Sequence, residues 1–133
     1  MAQAKGPLSE EKYRKALANN HLLSRQKGID AIMDKHKLDA LVAPTQGPAW
    51  LIDLVNGDAG GGGSATSPAA VAGYPHITVP MGYVFGMPVG LSFFGRAWSE
   101  PTLIRLAYGF EQATNARRPP KFLPTADVSL RAD

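Results

Sequence analysis

The sequence contains no cysteine, so disulfides and thiolate metal sites are excluded. It has only three histidines, His21, His36 and His76. No two of them have metal-ligand spacing with a third ligand nearby, and no metal site is expected. No apolar run approaches the ~20 residues that cross a bilayer. Charge is modest, with 14 Lys and Arg against 11 Asp and Glu and a formal net charge of +3. A basic cluster, Arg117, Arg118 and Lys121, flanks two prolines. A nucleic-acid footprint needs a denser stripe with interleaved aromatics, so neither a nucleic acid nor a membrane is an expected partner. The Met1–Pro7 stretch has no apolar signal-peptide core, and a cytoplasmic location is the expectation.

The 133 residues, 44% hydrophobic, suit one globular domain. Gly (14) and Pro (11) are plentiful, so turns and connections occupy much of the chain. Ser9 followed by Glu10 and Glu11 predicts a helix start. An apolar stripe then runs through Ala18, Leu22, Ile29 and Met33, with breaks expected near Asn19-Asn20 or Gly28. Ala40–Ala43, ended by Pro44, reads as a central strand buried on both faces. A second helix is expected from Ser64 to Gly73 and a second buried strand over His76–Val79, ended by Pro80. A hairpin follows, Tyr83-Val84-Phe85 turning at Gly86-Met87-Pro88 and returning through Val89 to Phe94. Ser99, Glu100 and Pro101 open a last helix with Leu103, Leu106, Ala107, Phe110 and Ala113 on its apolar face. The core spans about residues 8 to 115, and 116–133 is an irregular tail. This order of elements is an α/β pattern.

Four segments carry a family resemblance. They are Leu38-Asp39-Ala40-Leu41-Val42-Ala43-Pro44-Thr45, Ala72 to Gly82, Gly86-Met87-Pro88-Val89-Gly90-Leu91-Ser92-Phe93-Phe94-Gly95-Arg96, and Glu100 to Ala113. In this order and spacing they resemble the C-terminal part of amidase-signature enzymes. Gly47-Pro48-Ala49-Trp50 with Asn56-Gly57-Asp58 is most similar to the bacterial peptide-amidase branch. The resemblance implies the C-terminal portion of a fold in which a mixed sheet is flanked by helices. It implies hydrolysis of linear carboxamides to acid and ammonia without a cofactor. The family uses a Ser–cis-Ser–Lys triad that lies upstream of the matched region. No catalytic residue is therefore expected in this chain, which is expected to be inactive alone.

Gly60–Gly63 with Ser64 and Ser67 imitates a nucleophile or anion loop. The nearest lysines on either side of Ser64 in sequence are Lys37 and Lys121, and a nucleophile needs a base. No Gly-Lys-Ser/Thr follows the glycines, which argues against a phosphate loop. The expected substrate contacts are Trp50, Asp53, Asn56 and Asp58, on the long connection after a strand. The plainer alternative is that Trp50 and Leu51 pin the loop and Asn56-Gly57 is a turn. The expected partners are a missing N-terminal amidase half or a second copy, with a small amide substrate only in the complete enzyme. Two other functions compete: a non-catalytic or truncated module that self-associates, and a small-molecule binding module built on the glycine loop. Strand Gly90 predicts close approach of a neighbouring group.

Overall fold

The computed structural model describes residues 7–50, 52–58 and 63–122. Gly60 to Gly62, Leu51 and the tail from 123 onward lie outside the described residues. The first helical region is three pieces: α1 (Glu11–His21), a wide π-type segment (Leu22–Ile29) and α2 (Asp30–His36). The break is at Gly28, whose φ −112° and ψ −107° leave the helical region. A Cβ there would sit 2.7 Å from the Leu23 carbonyl oxygen, so the kink requires glycine. Ser9 is not the cap. Glu10 holds that position without a side-chain cap bond. Along the expected stripe only Ile29 and Met33 are buried, while Leu22 is exposed. Apolar burial along this stripe therefore begins after the kink.

Strands β1 (Leu41–Pro44), β2 (His76–Val84) and β3 (Met87–Phe94) form an antiparallel sheet in the order β1-β3-β2. Two strand expectations need correction. The first strand, expected to be central, is at an edge of this sheet, and Val42 is 53% exposed. Pro80 does not end the second strand. β2 continues through it with an irregularity between Pro80 and Gly82. An edge strand with a bulge accommodates proline because the missing N–H is not needed by a neighbour. The hairpin turn is Phe85-Gly86, both at positive φ (50° and 75°). This is the two-residue I′ pattern that matches strand twist, and it lies one to two residues earlier than expected.

Cross-strand partners share a face. Leu41, Phe94 and His76 lie on one face, and Val42, Phe93 and Ile77 on the other. The first face packs on α3 (Thr66–Ala72) and the π segment and α2, through Phe94, Ile29, Met33, Ala69 and Ala72. The second packs on α4 (Glu100–Thr114) through Phe93, Val79, Leu103 and Ala107. Helices thus flank the sheet on both faces, as α/β architecture requires. On α4, Leu106 and Phe110 are half-buried and Ala113 is exposed. Ser99 precedes the helix, but its hydroxyl donates to the Arg96 carbonyl (2.8 Å) instead of capping.

α3 ends at Gly73 in the left-handed region (φ 65°). Tyr74 N–H bonds Ala69 O and Gly73 N–H bonds Ala70 O, the paired closure of a Schellman motif. Arg25 Nε donates to Ala72 O at 2.6 Å, and its guanidinium lies 5.4 Å from the centre of the Tyr74 ring. Tyr74 Oη donates to Asp30 Oδ2 at 2.8 Å. Burial, and secondarily the Asp30 carboxylate, push the tyrosine pKa up. One polar chain therefore ties the kinked helix to the start of β2.

Candidate functional site

The connection after β1 divides into two parts with different structural work. In the distal part, Asp53 Oδ1 accepts the Val55 and Asn56 N–H groups, both at 2.9 Å. Its Oδ2 accepts Asn56 Nδ2, also at 2.9 Å. Gly57 N–H closes on Asp53 O at 3.0 Å, giving an Asx-type turn. The Asn56 backbone bond, then its side-chain bond and the Val55 N–H, hold the Asp53 carboxyl below its ordinary value. These groups satisfy one another. Asp58 is exposed beyond them.

The proximal part, Thr45 to Trp50, lies along the sheet. Thr45 N–H extends the pairing of β1 to Gly90 O at 2.7 Å. The Thr45 carbonyl accepts Ala65 N–H (3.1 Å) and the Ser64 hydroxyl (3.3 Å), which fixes the approach to α3. Thr45, Gln46, Trp50, Thr78, Pro88 and Gly90 line an open groove of about 400 Å³. A larger neighbouring groove, about 500 Å³, shares Gln46 and Gly47 and is walled by Met81, Val84 and Val89. Trp50 lines the smaller groove. Asp53, Asn56 and Asp58 line neither of these two grooves.

Under the smaller groove is a hydroxyl cluster that the sequence reading missed. Ser92, fully buried, donates its Oγ–H to Thr45 Oγ1 at 2.8 Å. Thr45 Oγ1 and Thr78 Oγ1 are 2.5 Å apart. The predicted close approach at Gly90 is this one: a Cβ would lie 2.7 Å from Thr78 Oγ1 and 2.8 Å from Thr45 Oγ1. The strand glycine was the available signal, but it could not say which strands supply the hydroxyls.

The serine that imitated a nucleophile has a local role. Ser64 Oγ accepts Thr66 N–H (3.3 Å) and contacts Thr66 Oγ1 (2.8 Å). No lysine is among the hydrogen-bond partners of Ser64 or Ser92. His76 Nε2 is buried without a partner among the described residues, and the ring stands edge-on to Phe94 at 5.9 Å. Among the described residues no three His, Asp or Glu side chains are grouped to hold a metal ion, and no helix is long and apolar enough to cross a membrane.

Comparison with known proteins adds a family to this geometry. The family model described as Amidase matches residues 1–104. A probable amidase of Arabidopsis thaliana is 41% identical over 114 residues, covering 85% of this chain and 19% of that protein. The peptide amidase of Stenotrophomonas maltophilia superposes with a TM-score of 0.80 at 50% identity, covering 91% of this chain and 24% of the other. A peptide amidase in complex with the competitive inhibitor chymostatin gives a TM-score of 0.84 at 53% identity, with the same coverage. The chain therefore spans a quarter or less of the length of these relatives.

Proposed function

The chain belongs to the amidase family, and from that premise we propose that it is the C-terminal portion of an enzyme hydrolysing linear carboxamides to acid and ammonia. The carrying observation is its correspondence over 91% of its length to 24% of a peptide amidase. In this reading the chain supplies a substrate wall, Trp50, and a loop shaped by Asp53, Asn56 and Asp58. The nucleophile and its base belong to the missing N-terminal half, the partner of this chain. Peptide amides are the favoured substrates, because the similar solved enzymes are peptide amidases. The domain is one unit with its core over about residues 8 to 115.

A second reading is a non-catalytic module that self-associates. It is favoured by apolar side chains left exposed on the second sheet face and on α4: Val42, Ile104 and Tyr108. Such a face recruits another surface, and a symmetric dimer is the simplest closed arrangement.

The test is ammonia release from a peptide amide by the purified chain, alone and mixed with the N-terminal portion of a peptide amidase. The expected result is background release alone and release above that of the N-terminal portion in the mixture. Release by the chain alone that Ser64→Ala and Ser67→Ala leave intact sinks the assignment. A mixture without gain, from a chain that light scattering shows to be dimeric, favours the second reading.

A further inference from the structure

The hydroxyl cluster has an odd hydrogen. Ser92, Thr45 and Thr78 together carry three O–H hydrogens and make two mutual hydrogen bonds. Ser92 spends its hydrogen on Thr45. The Thr45–Thr78 bond spends one more, whichever residue donates. One hydrogen is left over, on Thr45 or Thr78, and both residues line the smaller groove. Gly90 keeps the space for this arrangement, because any Cβ would collide with both threonine hydroxyls.

The rest of the groove restricts what that donor meets. Among the described residues none that lines it is ionisable, so these residues offer a charged group no counter-charge. Trp50 and Pro88 contribute apolar surface, and Gln46 contributes a carboxamide that both donates and accepts. The volume lies within the range of small-molecule sites. The complementary ligand is neutral and flat, with a carbonyl oxygen over the threonines and an amide edge for Gln46.

We propose that the groove over Thr45, Thr78 and Gly90 is a subsite for a neutral peptide group, whose carbonyl oxygen accepts the surplus threonine hydrogen. This deepens the amidase reading and rests on it for the identity of the ligand as substrate. The hydroxyls bind and orient. The peptide group they hold is one that flanks the amide to be cleaved.

The experiment is an NMR titration of the whole chain with N-acetyl-alanyl-alaninamide, with sodium acetate as the charged control. Saturable shifts are expected at the Thr45, Thr78 and Gly90 amides and the Trp50 indole, and not with acetate. Ser92→Ala removes one hydrogen and one bond together, so the surplus donor persists and binding should remain. The triple variant Thr45→Val, Thr78→Val, Ser92→Ala removes every hydroxyl without orphaning one, and should weaken binding by about three- to tenfold. If that variant fails to fold, Trp50→Ala at the open rim serves in its place and should weaken binding likewise. No saturable shifts, shifts outside the groove, or equal binding by the triple variant (or by Trp50→Ala in its place) overturns the proposal. If the mixture with an N-terminal portion still releases ammonia after such a failure, the subsite is wrong and the amidase reading stands.

Discussion

Replacing Gly90 with alanine sets two physical effects against each other at one position. In a strand interior, alanine should gain about 0.5–1 kcal/mol over glycine, because glycine loses more backbone freedom on folding. Gly90 has no left-handed φ to defend, so backbone strain does not oppose the change. Sterics do. The new methyl would be 2.7 Å from Thr78 Oγ1, 2.8 Å from Thr45 Oγ1 and 3.3 Å from Thr45 Cβ. Thr78 is exposed, and its hydroxyl is tied to Thr45. Thr45 is held by its N–H bond to Gly90 O and by the buried Ser92 hydroxyl. Overpacking costs about 1–3 kcal/mol, and a buried hydroxyl left without its acceptor costs about 1–3 kcal/mol. The two costs overlap, so Gly90→Ala should destabilise by about 1–3 kcal/mol net. Urea melts at fixed protein concentration measure it. The cost should shrink in a Thr78→Ala background, because half of the collision is gone, and a double-mutant cycle reads that coupling. A neutral or stabilising Gly90→Ala, or a cost indifferent to Thr78→Ala, would refute the close-approach argument.

Adjacent residues of α4 should behave oppositely: Leu103→Ala should cost about 2–5 kcal/mol in denaturant melts, because Leu103 is 1% exposed. Ile104→Ala should stay within about 0.5 kcal/mol, because Ile104 faces solvent, and equal costs would show α4 rotated on the sheet. Asn56→Ala should raise the Asp53 titration midpoint toward its ordinary 3.8, since Asn56 supplies two of the three bonds that lower it. The backbone bond survives in alanine, so the rise should be partial in a carbon-detected NMR titration. The turn's stabilisation by Asp53 is present above the ordinary carboxylate pKa and is lost as pH falls through the lower folded value. An unmoved midpoint would show that the side-chain bond is not formed.

Periodicity made the faces of the elements readable and left their lateral order open. Leu103 and Ala107 recur on one side of α4, and both are buried against Phe93 and Val79. Phe110 follows the same period but sits at the sheet margin, 6.1 Å from Phe93 at 62°, and is only half-covered. Leu41 to Ala43 is apolar on both sides, which says that both faces can be covered. It does not say which strands lie alongside, and β3 turned out to be central. Pro80 was read as a stop, but a strand at a sheet edge can spare the N–H and run on through proline. Gly28 and Gly73 were legible because each does one local thing: one breaks the helix and the other ends it.

The long connection after β1 shows why residue type alone does not say which of its residues line a groove. Asp53, Asn56 and Asp58 are the polar residues that catalysis and binding draw on, and they drew the sequence reading to the distal part. Yet a carboxylate accepting three hydrogen bonds from its own loop has committed most of its acceptor capacity there. A turn built this way fixes a shape at the cost of its reach. The threonines across β1 and β2 have the reverse character. Their side chains are 33 residues apart in sequence and meet only because both strands pair with β3 at Gly90 and Ser92. Three hydroxyls joined by two hydrogen bonds, on rigid strands above a glycine, keep one donor uncommitted. On the subsite we propose, the capacity to bind sits with the neutral residues that the sheet assembles, while the Asp53 carboxylate serves its own loop.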